Sequence, residues 1–357
     1  IDEQDVGRMI ECIPPLRVWD GREEATKNPP AIFILSPPRS GTTLLRVMLA
    51  GHPDLFAAAE LQLLGFNTLK ERKEAFSGKY SLWLEGTIRA VMEIKECDAD
   101  RAMQIIEEYE QRNCTTKQFY GVLQTWLGDK MLVDKSPSYV FDPATLEKAE
   151  RDFERPLYIH LVRHPYAMVQ SFVQYHIDQV LFLKDHPFTP RQLGELIWLI
   201  SQKNTLQFLQ MVPRDRYFTM RFEDLVNQPE QMMEEMCRSL GLKYHPNLTD
   251  PYKDIDKKMT DGIYKDSKPM GDTKLLEKKS IDPKVAETWK KVQEDDFLSD
   301  MTWEIAASLG YARPEQRNKE DSFTEKERLA ALRRKGLVSG GRRRQQIRMS
   351  IRGETTK

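Results

Sequence analysis

Arg39-Ser40-Gly41-Thr42-Thr43 places a guanidinium, three hydroxyls and a glycine at one point of the chain. Before them runs a short apolar stretch, Ala31 to Leu35, stopped by Ser36-Pro37-Pro38; after them Leu44, Leu45, Met48 and Leu49 recur at helical spacing. So short a run, rich in β-formers, reads as a buried strand, and the spacing after it reads as a helix starting near Gly41. A strand, tight loop and helix leave unpaired amides at the helix mouth, where the dipole favours an anion. Gly41 lets the backbone approach that anion closely, and the Thr42 and Thr43 hydroxyls add hydrogen bonds. These residues predict a phosphate cradle. It departs from the triphosphate loop Gly-x-x-x-x-Gly-Lys-Ser/Thr, because Leu35 or Ser36 stands at the first glycine and Thr42 at the lysine. Without the lysine that reaches the β- and γ-phosphates, the loop suits a nucleotide carrying a single 5′-phosphate-linked group, with Arg39 aimed at the transferred group. A turn that merely joins strand to helix is the plainer alternative.

The sequence Pro37-Pro-Arg-Ser-Gly-Thr-Thr-Leu-Leu45 resembles the 5′-phosphosulfate loop of sulfotransferases that use 3′-phosphoadenosine-5′-phosphosulfate (PAPS, which leaves as PAP). A second fragment supports the resemblance. Leu161-Val-Arg-His-Pro165, continuing to Ser171-Phe172, is similar to the family's 3′-phosphate site, which would make Arg163 and Ser171 the grip on that phosphate. Arg offers a planar fork and Ser a further donor to one oxyanion. Two separate phosphate sites also speak against an ordinary ATP enzyme.

Glu60 follows Gly51-His-Pro-Asp54 and the apolar stretch Leu55 to Ala59. On its own it reads as an acid at a helix N-terminus, favoured by the dipole. The resemblance makes it the general base, as in tyrosylprotein-type sulfotransferases, where a glutamate also follows a His-Pro-Asp segment. The histidine base of the cytosolic small-molecule enzymes has no evident counterpart, since His160, His164 and His176 lie near the 3′-phosphate segment. Lys135, after the apolar run Met131 to Asp134, resembles the family lysine that contacts the sulfonate; a solvated loop cation is the alternative. Met220-Arg-Phe-Glu-Asp-Leu-Val226 resembles the segment whose aromatic lies by the adenine, with Phe222 in place of the usual Tyr. Gly271-Asp-Thr-Lys274 resembles the loop that closes over the cofactor. Glu60, Lys135 and Arg39 are thus the expected catalytic set, and Arg39, Ser40, Gly41, Thr42, Thr43, Arg163, Ser171 and Phe222 the expected cofactor site. No metal is expected, because no ligand cluster with metal spacing is visible.

These residues need elements to hold them. Strands are expected at 31–35, 131–134, 157–163 and 217–222, alternating with helices from Tyr166, over 190–211 and from Pro229. Such alternation implies parallel pairing. The fold class is α/β: a P-loop-like three-layer sandwich with a central parallel sheet and a helical cap on the substrate side. Amphipathic stretches at 98–112 and 116–126 are expected to build that cap. Residues 1–30 read as a linker packed on the domain, 31–312 as the sulfotransferase domain and 313–357 as a basic linker or tail. The long stretch 243–279 reads as a loop, which in a compact domain is usually functional or disordered. A helix capped by Asp282-Pro283 and another over 297–309 follow.

At 357 residues the chain is long enough to bury a sizeable core, and its net charge of −1 argues against general affinity for nucleic acid. Cys12, Cys97, Cys114 and Cys237 lie far apart, indicating neither a zinc site nor a disulfide framework, so a cytoplasmic setting is expected. No apolar run approaches the ~18 residues of a membrane span. The start at Ile1 reads as a piece of a longer polypeptide. The chain looks most like the sulfotransferase domains of olefin-synthase and curacin-type modular polyketide synthases. That resemblance implies sulfonation of the β-hydroxyl of an acyl chain on an acyl carrier protein, with a neighbouring thioesterase domain releasing the acid for decarboxylation to a terminal alkene. Between Lys326 and Arg352 stand ten basic residues and one acidic residue, Glu327; they read as a solvated tail, an interdomain linker or a contact for an acidic carrier protein. A stand-alone sulfotransferase for a small alcohol, lipid or glycan stays open. So do a P-loop kinase and a catalytically silent nucleotide-binding domain.

Overall fold

The strands Ala31–Leu35, Met131–Asp134 and Leu157–Val162 each end within three residues of a proline, which stops the strand before the next helix begins. The computed structural model describes residues 1–16, 26–259, 271–292 and 296–314. Helix α1 (Glu3–Cys12) is followed by β1 (Ala31–Leu35), α2 (Thr42–Leu49) and β2 (Leu55–Ala57). Four helices then intervene: α3 (Leu69–Ala75), α4 (Glu85–Lys95), α5 (Ala99–Gln111) and α6 (Thr116–Leu127). Next come β3 (Met131–Asp134), α7 (Pro143–Asp152), β4 (Leu157–Val162), α8 (Pro165–Gln174) and α9 (Pro190–Leu209). The chain continues through β5 (Tyr217–Arg221), α10 (Phe222–Asn227), α11 (Pro229–Leu240), α12 (Ile255–Met259) and α13 (Asp300–Ser308).

The strands form one sheet in the order β2-β3-β1-β4-β5, and every pairing is parallel. β1 lies at its centre with all five residues buried, as its unbroken apolar run requires. Alternate residues feed two cores. Ile32, Ile34, Val133, Ile159 and Leu161 pack with α2, α10 and α11, whereas Ala31, Phe33, Leu35, Leu132 and Tyr158 pack with residues of α6 to α9. Phe33 meets Phe153 edge-on at a centroid distance of 5.2 Å. Helices on both faces of a parallel sheet make the expected three-layer sandwich.

Residues 1–312 form one unit. Within the expected N-terminal linker, residues 3–12 are a helix that packs on α9, with Val6, Met9 and Cys12 buried. The stretch 283–292 is helical as expected but in the tighter 3₁₀ form. The stretch 243–279 holds a 3₁₀ turn at Pro246–Thr249 and the short α12; its residues 260–270 lie outside the described set. The basic run from Lys326 to Arg352 also lies outside the described residues.

Candidate active site

All five strands end on the same side of the molecule, and each delivers one part of the predicted set just beyond its C-terminal end. In parallel α/β sheets that edge, at the point where strand order reverses, is where ligands bind. The anion loop follows β1, Glu60 follows β2, Lys135 follows β3, Arg163 follows β4 and Phe222 follows β5.

The loop has the geometry of a cradle. Arg39 and Gly41 both adopt left-handed backbone, with φ of 64° and 89°. A non-glycine residue holds that conformation only where its surroundings enforce it. Arg163 enforces it here: its Nη1 donates to the Arg39 carbonyl at 2.7 Å. Gly41 must be glycine, since a Cβ there would lie 2.2 Å from the Phe222 ring. The Phe222 ring therefore lies against the loop, with the Arg163 guanidinium 4.9 Å from its centroid.

Arg39 and Ser171, which lie 132 positions apart, meet directly: Arg39 Nε donates to Ser171 Oγ at 3.0 Å. The Arg39 guanidinium also lies 4.1 Å from the centroid of the Tyr175 ring. Gly271 and Asp272 pack against Thr43 and Arg39. The Asp272 amide donates to Thr43 Oγ1 at 3.1 Å, and its carboxylate stands 3.8 Å from Arg39 Nη2. Ser40 Oγ and Arg163 Nε are buried without a hydrogen-bond partner among the described residues. Burial lowers the Arg163 pKa, and so does the nearby Arg39, while Glu223 raises it. Two clustered guanidiniums and unmet buried donors are what a phosphate-bearing ligand would satisfy. The residues fit a nucleotide with phosphate at both ends.

Glu60 does not start a helix, contrary to the simplest local reading. It stands in extended chain three residues after β2, where it is 6 % exposed. Its Oε1 accepts a short hydrogen bond from Lys135 Nζ, so the pair is a buried ion pair and not a solvated loop cation. Among the described residues nothing donates to its Oε2. Burial pushes the Lys135 pKa down, and the Glu60 carboxylate pulls it back up.

The segment that carries Glu60 is clamped on three sides. Tyr139 Oη accepts from the amides of Leu63 and Leu64 at 2.9 and 3.1 Å, and Ser136 Oγ accepts from the Gln62 amide at 3.0 Å. Both hydroxyls donate in turn to Asp134 at the end of β3, at 2.8 and 2.9 Å. From the opposite side the buried Arg72 guanidinium donates to the carbonyls of Leu61, Gln62 and Trp83. Finally, α4 approaches so closely at Gly86 that a Cβ there would stand 1.9 Å from the Glu60 carbonyl oxygen. Asp134, Tyr139, Arg72 and Gly86 escape sequence reasoning because their roles arise only through long-range contacts.

Two cavities meet at this edge. The larger, about 770 Å³, holds Glu60 and has apolar walls from Phe66, Trp83, Phe141 and Phe182. The smaller, about 110 Å³, holds Gly41, Arg163 and Phe222. Arg39, Thr42 and Thr43 line both. No histidine of the described residues lines the larger cavity. His160 is buried in β4 with Nε2 2.8 Å from Gln202 Oε1, and His164 caps α8 through Nδ1. α5 and α6 pack against α4 and line neither cavity; the 60–83 segment supplies part of the larger cavity's wall. Among the described residues no group of His, Cys, Asp and Glu could hold a metal ion, all four cysteines are free, and no helix is long and apolar enough to cross a membrane.

A family model described as the sulfotransferase family matches residues 30–246. The chain is 39% identical to the sulfotransferase domain from the curacin biosynthetic pathway, with a TM-score of 0.74, covering 81% of this chain and 100% of that one. It is 35% identical to the sulfotransferase domain from the Synechococcus PCC 7002 olefin synthase, again at a TM-score of 0.74, covering 84% of this chain and 100% of that one. It is also similar to the nodulation protein NoeE of Sinorhizobium fredii (strain NBRC 101917 / NGR234), at 25% identity over 299 residues. That match takes in 78% of this chain and 65% of the relative's length.

Proposed function

Because the chain belongs to the sulfotransferase family, we propose that it moves the sulfonate of PAPS to the β-hydroxyl of an acyl chain held on an acyl carrier protein. One observation carries this reading: an apolar cavity containing a carboxylate meets, at Arg39, Thr42 and Thr43, a smaller cavity lined by the anion loop, Arg163 and Phe222. A hydroxyl brought along the first would face an anionic group brought along the second. PAPS, when bound, supplies the sulfonate. Arg163 and Ser171 are the residues that would hold the 3′-phosphate, Ser40 to Thr43 the 5′-phosphate, and Phe222 the adenine side.

The chain's own groups divide the work. Glu60 takes the proton of the acceptor hydroxyl as its oxygen attacks sulfur, using the carboxylate oxygen that Lys135 leaves unengaged. Lys135 and Arg39 offset negative charge growing on the transferred group. Both are fixed beforehand by their own contacts, so little reorganisation is needed. As in phosphoryl transfer, placement and charge do most of the catalysis. The triphosphate reading loses support because Thr42, not a lysine, stands at the loop end.

The carrier-bound acceptor is favoured by identities of 39% and 35% to the curacin and olefin-synthase domains and by the apolar walls of the larger cavity. On this reading the sulfate ester then serves as a leaving group in decarboxylative alkene formation, after a neighbouring thioesterase domain frees the acid. The basic stretch 326–352 would be a linker or a contact for the acidic carrier. Mass spectrometry of a β-hydroxyacyl carrier protein incubated with PAPS tests the assignment. A gain of one sulfonate on the acyl chain is expected. Sulfonation of free alcohols alone would replace the carrier reading with that of a stand-alone enzyme, and phosphate transfer from ATP without PAPS would replace it with a kinase.

A further inference from the structure

Resting on that reading and deepening it, we propose that Gln62 selects β-hydroxycarbonyl acceptors by donating a hydrogen bond from its carboxamide Nε2 to the acceptor's carbonyl oxygen. Gln62 stands two residues after Glu60, and both residues line the larger cavity. Its φ is 52°, in the left-handed region that a glutamine adopts only under constraint.

The constraints are visible. Its amide donates to Ser136 Oγ at 3.0 Å, and its carbonyl accepts from Arg72 Nε at 3.1 Å. Its side-chain oxygen accepts from Ser138 Oγ at 2.5 Å. Backbone and side chain are thus both pinned in a residue only 4 % exposed. Among the described residues nothing accepts from its Nε2. A pinned, unspent donor in a cavity with apolar walls is the kind of convergent polar group that orients a ligand.

The pairing of groups defines the ligand. Glu60 offers an acceptor to a hydroxyl, and Gln62, two residues on, offers a donor. A β-hydroxyacyl thioester presents the complementary set, a hydroxyl donor and a carbonyl acceptor separated by one methylene. An alcohol without the carbonyl leaves Nε2 buried and unpaired, and sites built around a hydrogen bond discriminate strongly against ligands that lack it.

The test compares a β-hydroxyacyl thioester on the pantetheine arm of an acyl carrier protein with the matching thioether on the same arm, in which a methylene replaces the carbonyl. For the wild type we expect kcat/KM to favour the thioester by about a hundredfold, and in Gln62→Met and Gln62→Glu that ratio should fall by about thirtyfold. PAP affinity, measured on the same samples, should stay within about twofold and so report an intact nucleotide site. Equal losses on both acceptors, with the ratio preserved, would show a purely structural role and overturn the assignment. A wild type that shows no preference would overturn it as well. A wild type that sulfonates neither compound would instead bring down the carrier-acceptor reading, and this assignment with it.

Discussion

Glu60 and Lys135 share a space nearly closed to water, with 6 % and 2 % of their surfaces exposed. Two opposite charges in such a place stand or fall together. Lys135→Met removes the one hydrogen-bond donor that the described residues give the Glu60 carboxylate, and breaking a buried pair from one side costs about 3 kcal/mol. Urea unfolding should show that loss, whereas Glu60→Gln combined with Lys135→Met should lose at least 1 kcal/mol less than the sum of the two single changes, roughly the coupling expected for contacting residues. Additive losses would mean that the two side chains do not interact in solution. Activity separates their roles. Glu60→Gln keeps the size of the side chain but not the base, and should lower kcat by about a hundredfold to ten-thousandfold while PAP still binds.

Helices position these groups through close approach and capping. α4 reaches the Glu60 backbone at Gly86, and a single added methyl would have to displace that carbonyl. Gly86→Ala should therefore lower kcat by about a hundredfold, the scale of a 1 Å misplacement, with PAP affinity little changed. Unaltered kcat in that variant would show that α4 does not set the position of the base. α8 depends on a neutral cap, because His164 Nδ1 accepts from the Tyr166 amide and so needs its lone pair. Burial pushes the His164 pKa down to about 3, with Arg163 adding to the effect, and burial pushes His160 down to about 4. Unfolded, both would titrate near about 6.5. The unfolded chain then binds more protons over that interval, so the histidine contribution is complete above about pH 6.5 and is lost as pH falls towards the folded values. His164→Asn keeps an acceptor for the cap without the titration, and urea midpoints should fall less steeply with acid in that variant.

The strand and loop at 31–43 were legible because a short apolar run, two prolines and a helical repeat meet there, and local physics settles all three. Arg163 and Ser171 were legible as the close of a strand and a position in the first two turns of the next helix. β2 was not, since three residues inside Leu-Phe-Ala-Ala-Ala show no period and pair only because β3 lies alongside. That hid the fact that Glu60 belongs to a strand end like the others. α1 carried a usable pattern in Val6, Met9 and Cys12 behind an Asp2 and Asp5 capping box, obscured by the surrounding charge. Gln62 gave no local indication, because its constraint comes from Ser136, Ser138 and Arg72.

At the scale of the whole molecule, five strand ends and the 271–292 segment converge on two joined cavities, so the nucleotide should tie together parts of the chain far apart in sequence. PAP at a hundredfold excess over its Kd should raise the unfolding free energy by about 2.7 kcal/mol. Hydrogen exchange should slow in the anion loop and around Leu275 and Val285, which line the smaller cavity. Protection confined to the larger cavity would place the nucleotide on the wrong side of Arg39. Sulfonate transfer with Glu60 as base is tested by one paired measurement. Wild type and Glu60→Gln are each loaded with PAPS and a β-hydroxyacyl carrier protein, and the acyl chain is weighed by mass spectrometry over a single turnover. One added sulfonate is expected with the wild type and almost none with the variant, both proteins binding PAP alike. Equal transfer by the two would contradict that role for Glu60.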